Sequence, residues 1–179
     1  MSTSKFNVAD KATFTVAGIE FIKFPEANGK VPVVARNLPF TSKFGDNNNL
    51  NNSCFLEKLN EIYKKIADEI GEENICEFET DLRTLDGLRP YPGFKSKISI
   101  PTFDFYRDNV EIFDMYPVNN WWWLATPESA KPHDEPNWTV CVSPRGNLNC
   151  RISDCCNRRG VRPFLIFESS LFVSDGKEE

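Results

Sequence analysis

The chain has one histidine, two methionines and no apolar run near the roughly 20 residues that span a bilayer. His133 sits in the loop "PESAKPHDEPN", where a solvated side chain is the ordinary outcome. Gly-x-Ser-x-Gly, a phosphate-cradling glycine loop and His-Glu-x-x-His are all absent, so no cofactor or hydrolase motif is on offer. Asp134 and Glu135 are neighbours on one loop, which does not make an acid/base pair. There is no basic excess either. The net charge of -5 leaves nothing to replace phosphate counterions, arguing against a nucleic-acid partner. The first residues, "MSTSKFNVADKATF", lack the apolar core of a signal peptide, so a reducing cytoplasm is the expected location; a virion or cell surface would need another route. The six cysteines are then expected as thiols.

Apolar residues make up 40% of the chain, with 15 Phe and 4 Trp, enough to build a core. We expect one domain over residues 12–173, between tails at 1–11 and 174–179. Phe14 and Val16, then Ile19, Phe21 and Phe24, then Val31, Val33 and Val34 read as a β-meander, with Ala-Asn-Gly-Lys as one turn. The polar loop 45–52 ends at Ser53, a predicted N-cap. Phe55, Leu56, Leu59, Ile62, Tyr63, Ile66 and Ile70 then share one helical face, and Gly71 fits the stop. Residues 82–101, rich in Gly and Pro, read as loop. A shorter helix follows over 102–115, capped by Thr102. The rest reads as strands and loops.

The stretch "NCRISDCCNRRGVRP" raises the question of chemistry. Cys150-x4-Cys155-Cys156 lacks the paired Cys-x-x-Cys spacing of a zinc site, although with Cys141 and His133 a four-ligand set can be assembled on paper. Nor does it resemble the helix-starting Cys-x-x-Cys of thiol oxidoreductases. The surrounding pattern is that of strands. In "NWTVCVSPRGNLNCRIS", Trp138, Val140 and Val142 alternate with Thr139, Cys141 and Ser143. Beyond the Pro-Arg-Gly-Asn turn, Leu148, Cys150 and Ile152 alternate with Asn149, Arg151 and Ser153. The apolar set is expected inside with Cys150 as packing. The polar set, Cys141 included, is expected to form one outward face continued by the loop 154–159.

"WWWLATP", then "WTVCV", then "GVRPFLIF" resemble the C-terminal signature of a bacterial and phage family, the variable proteins of diversity-generating retroelements. The family motif more often has Arg-Ser where Ala125-Thr126 stand here. The resemblance spans residues 12–173, with its specific motifs in the last fifty. It implies an α+β domain of C-type lectin fold: two helices, a small twisted antiparallel sheet and long loops. The lectin label concerns fold and implies neither sugar nor calcium.

In that family, reverse transcription randomises template adenines, so an Asn codon can become Thr, Cys, Ser, Arg, Asp or Gly, but not Lys, Glu, Gln, Met or Trp. Residues 139–159 contain none of those five, although the chain has 12 Lys and 15 Glu among 179 residues. Average usage predicts about three Lys or Glu in such a window; strand propensity also disfavours them. The resemblance therefore implies a non-enzymatic ligand-binding protein with a hypervariable region at about 137–159. Its binding residues would be Asn137, Thr139, Cys141, Ser143, Arg145, Asn147, Asn149, Arg151, Ser153, Asp154, Cys155, Cys156, Asn157, Arg158 and Arg159. Four arginines there point to a protein ligand bearing carboxylates or other anions. Trp121, Trp122 and Trp123 are expected as core and floor of the patch, and Arg162 as structural, held by carboxylates or carbonyls. Two alternatives remain: an enzyme related to the formylglycine-generating enzymes, which share this general fold and use cysteines, and a structural subunit of a phage or mobile element.

Overall fold

A computed structural model describes residues 6–130, 137–153 and 158–173. The protein mixes helix and sheet, mostly sheet, with eleven strands and three α-helices among the described residues. A meander of β1 (Thr13–Val16), β2 (Ile19–Lys23) and β3 (Lys30–Ala35) pairs antiparallel with β11 (Phe164–Glu168). Asn28 and Gly29 both take positive φ (53° and 74°) in the β2–β3 turn, the conformation for which Asn-Gly is suited. Beyond this sheet, Phe6 donates its N–H to the Leu171 carbonyl and accepts from Val173, so the expected N-terminal tail is tied down from Phe6 onward.

The second sheet has the order β4 (Phe40–Ser42), β10 (Arg159–Val161), β7 (Trp122–Pro127), β8 (Trp138–Val142) and β9 (Leu148–Ile152). The β10–β7 pairing is parallel. β5 (Phe78–Thr80) and β6 (Phe94–Ser96) form a small hairpin, β6 falling within the 82–101 segment read as loop and β5 just before it. Three-residue strands with little alternation leave no periodic signal.

Helix α1 (Leu56–Ile70) buries Leu59, Ile62, Ile66 and Ile70, as the 3.6-residue spacing dictates. Gly71 ends it at φ 88°. Ser53 is not its cap. It closes a short 3-10 turn, Leu50–Asn52, and the helix begins after Phe55 without a side-chain cap. The helix predicted over 102–115 is two pieces, α2 (Phe103–Asp108) and α3 (Val110–Asp114), broken at Asn109. The Thr102 hydroxyl caps α2 by accepting from the Phe105 N–H at 3.1 Å.

Every residue of β7 is buried, and its side chains alternate between two cores. Trp123 and Ala125 join the larger one with Phe44, Phe55 and α1. Trp122 and Leu124 join a second one with Tyr106, Ile112 and Phe113 of α2 and α3. The Gly-Val-Arg-Pro segment carries the chain from β10 in one sheet to β11 in the other. Arg162 lies at that crossing, and its Nε and one Nη donate to the Ala35 and Arg36 carbonyls at 2.9 and 3.1 Å. Its guanidinium also lies over the rings of Trp122 (4.8 Å) and Phe113 (5.2 Å).

Candidate functional site

Strand β8 separates its side chains by face as the alternation predicts, but both faces are covered. Val140 and Val142 pack in the core of α2 and α3, and Cys141 packs on the Trp123 side. Thr139, Cys141, Ser143 and Ser153 were expected outward and are buried. Around Ser153 and the start of β8 the cover is the Asn-rich segment expected to be a polar loop. Phe44 and Gly45 donate backbone N–H groups to the Ser153 carbonyl, and the fully buried Asn48 amide donates to the carbonyls of Ser129 and Trp138. Tyr91 completes the lock, donating its hydroxyl to the Asn48 side-chain oxygen at 2.6 Å. Small polar residues can pass unnoticed in such a place because they satisfy one another: the Thr139 and Ser153 hydroxyls share a hydrogen bond of 2.7 Å.

The opposite face departs from expectation too. Trp138, Leu148 and Ile152, expected inside, are each about two-fifths exposed (42%, 43% and 41%), Trp138 and Ile152 paired at one end of the β8–β9 ladder and Leu148 at the other. Strand β9 is the sheet edge, so only one neighbour covers its side chains. Cys150 is partly buried against the second core, matching its expected packing role.

Ser143 has a local task. Its hydroxyl accepts from the backbone N–H of Asn147 (3.0 Å) and Arg145 (3.3 Å), and Gly146 donates to its carbonyl, fixing the turn with Gly146 at φ 80°. That turn presents Arg145 and Asn147 to solvent. Asn149 is exposed on β9, and Arg151 next to it is half-buried, donating to the Asn149 side-chain oxygen at 2.6 Å and the Cys150 carbonyl at 3.0 Å. Arg158, exposed, donates twice to the Thr41 carbonyl (3.2 and 2.7 Å). Arg159 is a correction: it is buried, not displayed, and its Nε has no hydrogen-bond partner. Arg151 and Arg159 both lie 5.2 Å from the Trp121 ring centroid, and Arg159 lies 5.4 Å from that of Trp123. Trp121 is therefore the floor of an arginine cluster, while Trp122 and Trp123 are core. Asn137 is half-buried at the start of β8. Asp154, Cys155, Cys156 and Asn157 lie outside the described residues, as does His133.

None of Arg145, Arg151, Arg158 and Arg159 pairs with a carboxylate among the described residues. By contrast, Arg83, Arg89 and Arg107 elsewhere on the surface all meet Asp81, Asp104 or Asp108. Cys76 and Cys150 offer little nucleophilic character. Burial and the neighbouring Glu128 carboxylate push Cys150 up to about 12, and burial with Glu168 pushes Cys76 up to about 11, so both stay protonated at neutral pH. No group of three metal-ligating side chains converges among the described residues. No helix there is long and apolar enough to cross a membrane.

No protein family, curated protein or solved structure matches this chain.

A cavity of about 310 Å³ under the 144–146 turn escaped sequence reasoning. It is walled by Tyr106, Phe113, Tyr116 and Trp122, with Arg162 also lining it. Its only sequence signals were the aromatic spacing of 102–115 and the arginine of Gly-Val-Arg-Pro.

Proposed function

We propose that the protein is a non-enzymatic recognition module of C-type lectin fold, similar to the variable proteins of diversity-generating retroelements. Its ligand is a protein surface bearing anionic groups. The observation that carries this reading is the contrast within one hairpin. Asn137, Arg145, Asn147, Asn149, Arg151 and Arg158 are exposed or half-buried, while the strands behind them, β7 and β8, are buried almost throughout. A face of that kind changes its side chains without disturbing the core, because surface substitutions rarely cost more than about 0.5 kcal/mol.

The motif residues fit the same reading as scaffold. Trp122 and Trp123 form the wall between two cores, and Arg162 ties the two sheets together. Arg151, resting on Trp121 and without an ion pair among the described residues, favours carboxylates through bidentate pairing. On this reading the adjacent cysteines are products of codon variation rather than selected chemistry. Thr139, Cys141, Ser143, Ser153 and Arg159 leave the contact set, since buried side chains cannot touch a partner.

Sequencing the DNA downstream of the gene tests this reading. We expect a near-copy of the segment encoding residues 137–163, differing only at adenines of the copy and accompanied by a reverse transcriptase. A flanking sequence without such a copy would remove the genetic basis of the variable face.

A further inference from the structure

The cavity under the 144–146 turn holds a charge without a counter-charge. Arg162 is 1% exposed. Nε and one Nη are committed to main-chain carbonyls, yet the second Nη has no hydrogen-bond acceptor and no carboxylate reaches the guanidinium among the described residues. Main-chain carbonyls and the faces of Trp122 and Phe113 compensate a cation only in part. Other cations stand close: Arg145 lines the mouth, and Arg36, 5.5 Å from the Tyr116 ring, is already paired with Glu20 at 3.6 Å. Asp114 is the one acid on the wall, and it is exposed at the rim beside Gly146. The Tyr106 hydroxyl stands between, donating to the Gly146 carbonyl at 2.9 Å. The rest of the wall is the rings of Phe113, Tyr116 and Trp122 together with Val118, Val142 and Ser143.

A cavity of about 310 Å³ falls at the small end of the range for ligand pockets, which starts near 300 Å³. Its chemistry combines a wall of aromatic rings and polar groups with one buried guanidinium. We propose that this cavity is a binding site for a small aromatic carboxylic acid, whose ring stacks among Trp122, Phe113 and Tyr116 and whose carboxylate meets the free Nη of Arg162. The site is separate from the arginine cluster on Trp121 and stands whether or not the variable-face reading holds. Burial lowers the Arg162 guanidinium to about 9, the direction expected for a cation short of an anion.

Titration calorimetry on the full chain with phenylacetate, its neutral isostere phenylacetamide and phenethylamine tests the site. The expected result is saturable phenylacetate binding at least tenfold tighter than the amide, with no binding of the amine. Asp114→Asn, an exposed change that leaves the core intact, is expected to tighten phenylacetate two- to fivefold by removing a like charge. Arg162→Gln is expected to abolish the preference for acid over amide. Should that variant fail to fold, the amide comparison and Asp114→Asn still decide. Equal binding of acid and amide, a preference for the amine, an unchanged affinity in Asp114→Asn or no saturable binding would each overturn the proposal.

Discussion

The hydroxyls of Thr139 on β8 and Ser153, just past the end of β9, lie 2.7 Å apart with neither side chain exposed. A buried pair of this kind contributes little net stability when intact, yet losing one member strands the other without a partner. Thr139→Val alone should therefore cost about 1–3 kcal/mol. The double variant Thr139→Val/Ser153→Ala should cost less than the sum of the two single changes. Urea unfolding of all four proteins gives the coupling; strict additivity would mean the hydrogen bond does not form.

Asn48 makes a similar prediction for the loop that covers the start of β8. Its amide serves two carbonyls and its oxygen takes the Tyr91 hydroxyl. Asn48→Ala should destabilise by about 2–3 kcal/mol, because several buried polar groups lose partners at once. It should also raise hydrogen exchange at the Ser153-bound amides of Phe44 and Gly45 before other sites. An unaltered exchange pattern would show that the loop is held by something else.

Trp123 donates its indole N–H to the Ser42 carbonyl at 2.9 Å and meets Phe44 edge-on at 5.7 Å. Trp123→Ala should cost about 3–5 kcal/mol. Trp121, half-buried just before β7 at the margin of the same core, should be far more tolerant. Chemical denaturation of Trp121→Ala and Trp123→Ala separates floor from core.

The thiols set a pH dependence. Cys76 and Cys150 titrate higher in the folded protein (about 11 and about 12) than the ordinary thiol value of 9.0. Above pH 9 the unfolded chain loses protons that the folded chain retains, so the stability these thiols provide is complete below that pH and falls as pH rises toward 11–12. Urea midpoints should drop more steeply between about pH 9 and pH 11 in wild type than in Cys76→Ala/Cys150→Ala. In the native state at pH 8, alkylation should reach the exposed Cys54 well before Cys76, Cys141 or Cys150; rapid labelling of Cys141 would contradict its burial.

The elements with a period were readable from sequence. Helix α1 announced itself through Leu59, Ile62, Ile66 and Ile70 and stopped at Gly71, and Asn28-Gly29 marked its hairpin. The alternation of β8 was also visible, and its division into two faces was right. What alternation cannot say is whether the second face meets water. Thr139, Cys141 and Ser143 are small enough to fit either setting, and the loop that covers the start of β8 comes from residues 44–53, far away in sequence. The same limit displaced Trp138, Leu148 and Ile152, whose apolarity suggested a core although β9 is an edge strand. At Ser53 the local signal for a cap was sound, but a 3-10 turn took the preceding residues and moved the helix start past Phe55. Arg162 was assigned correctly to a structural place held by carbonyls, while the cavity beside it depends on α2 and α3 folding back beneath the 144–146 turn.

The central claim is that a changeable face rests on an unchangeable scaffold, and two matched libraries test it most directly. One randomises Asn137, Arg145, Asn147, Asn149, Arg151 and Arg158 among the outcomes of an Asn codon; the other does the same at Thr139, Cys141, Ser143 and Ser153. Protease resistance of displayed clones reports folding. The account predicts that most clones of the first library remain folded and most of the second do not. Equal loss of folding in both would contradict it.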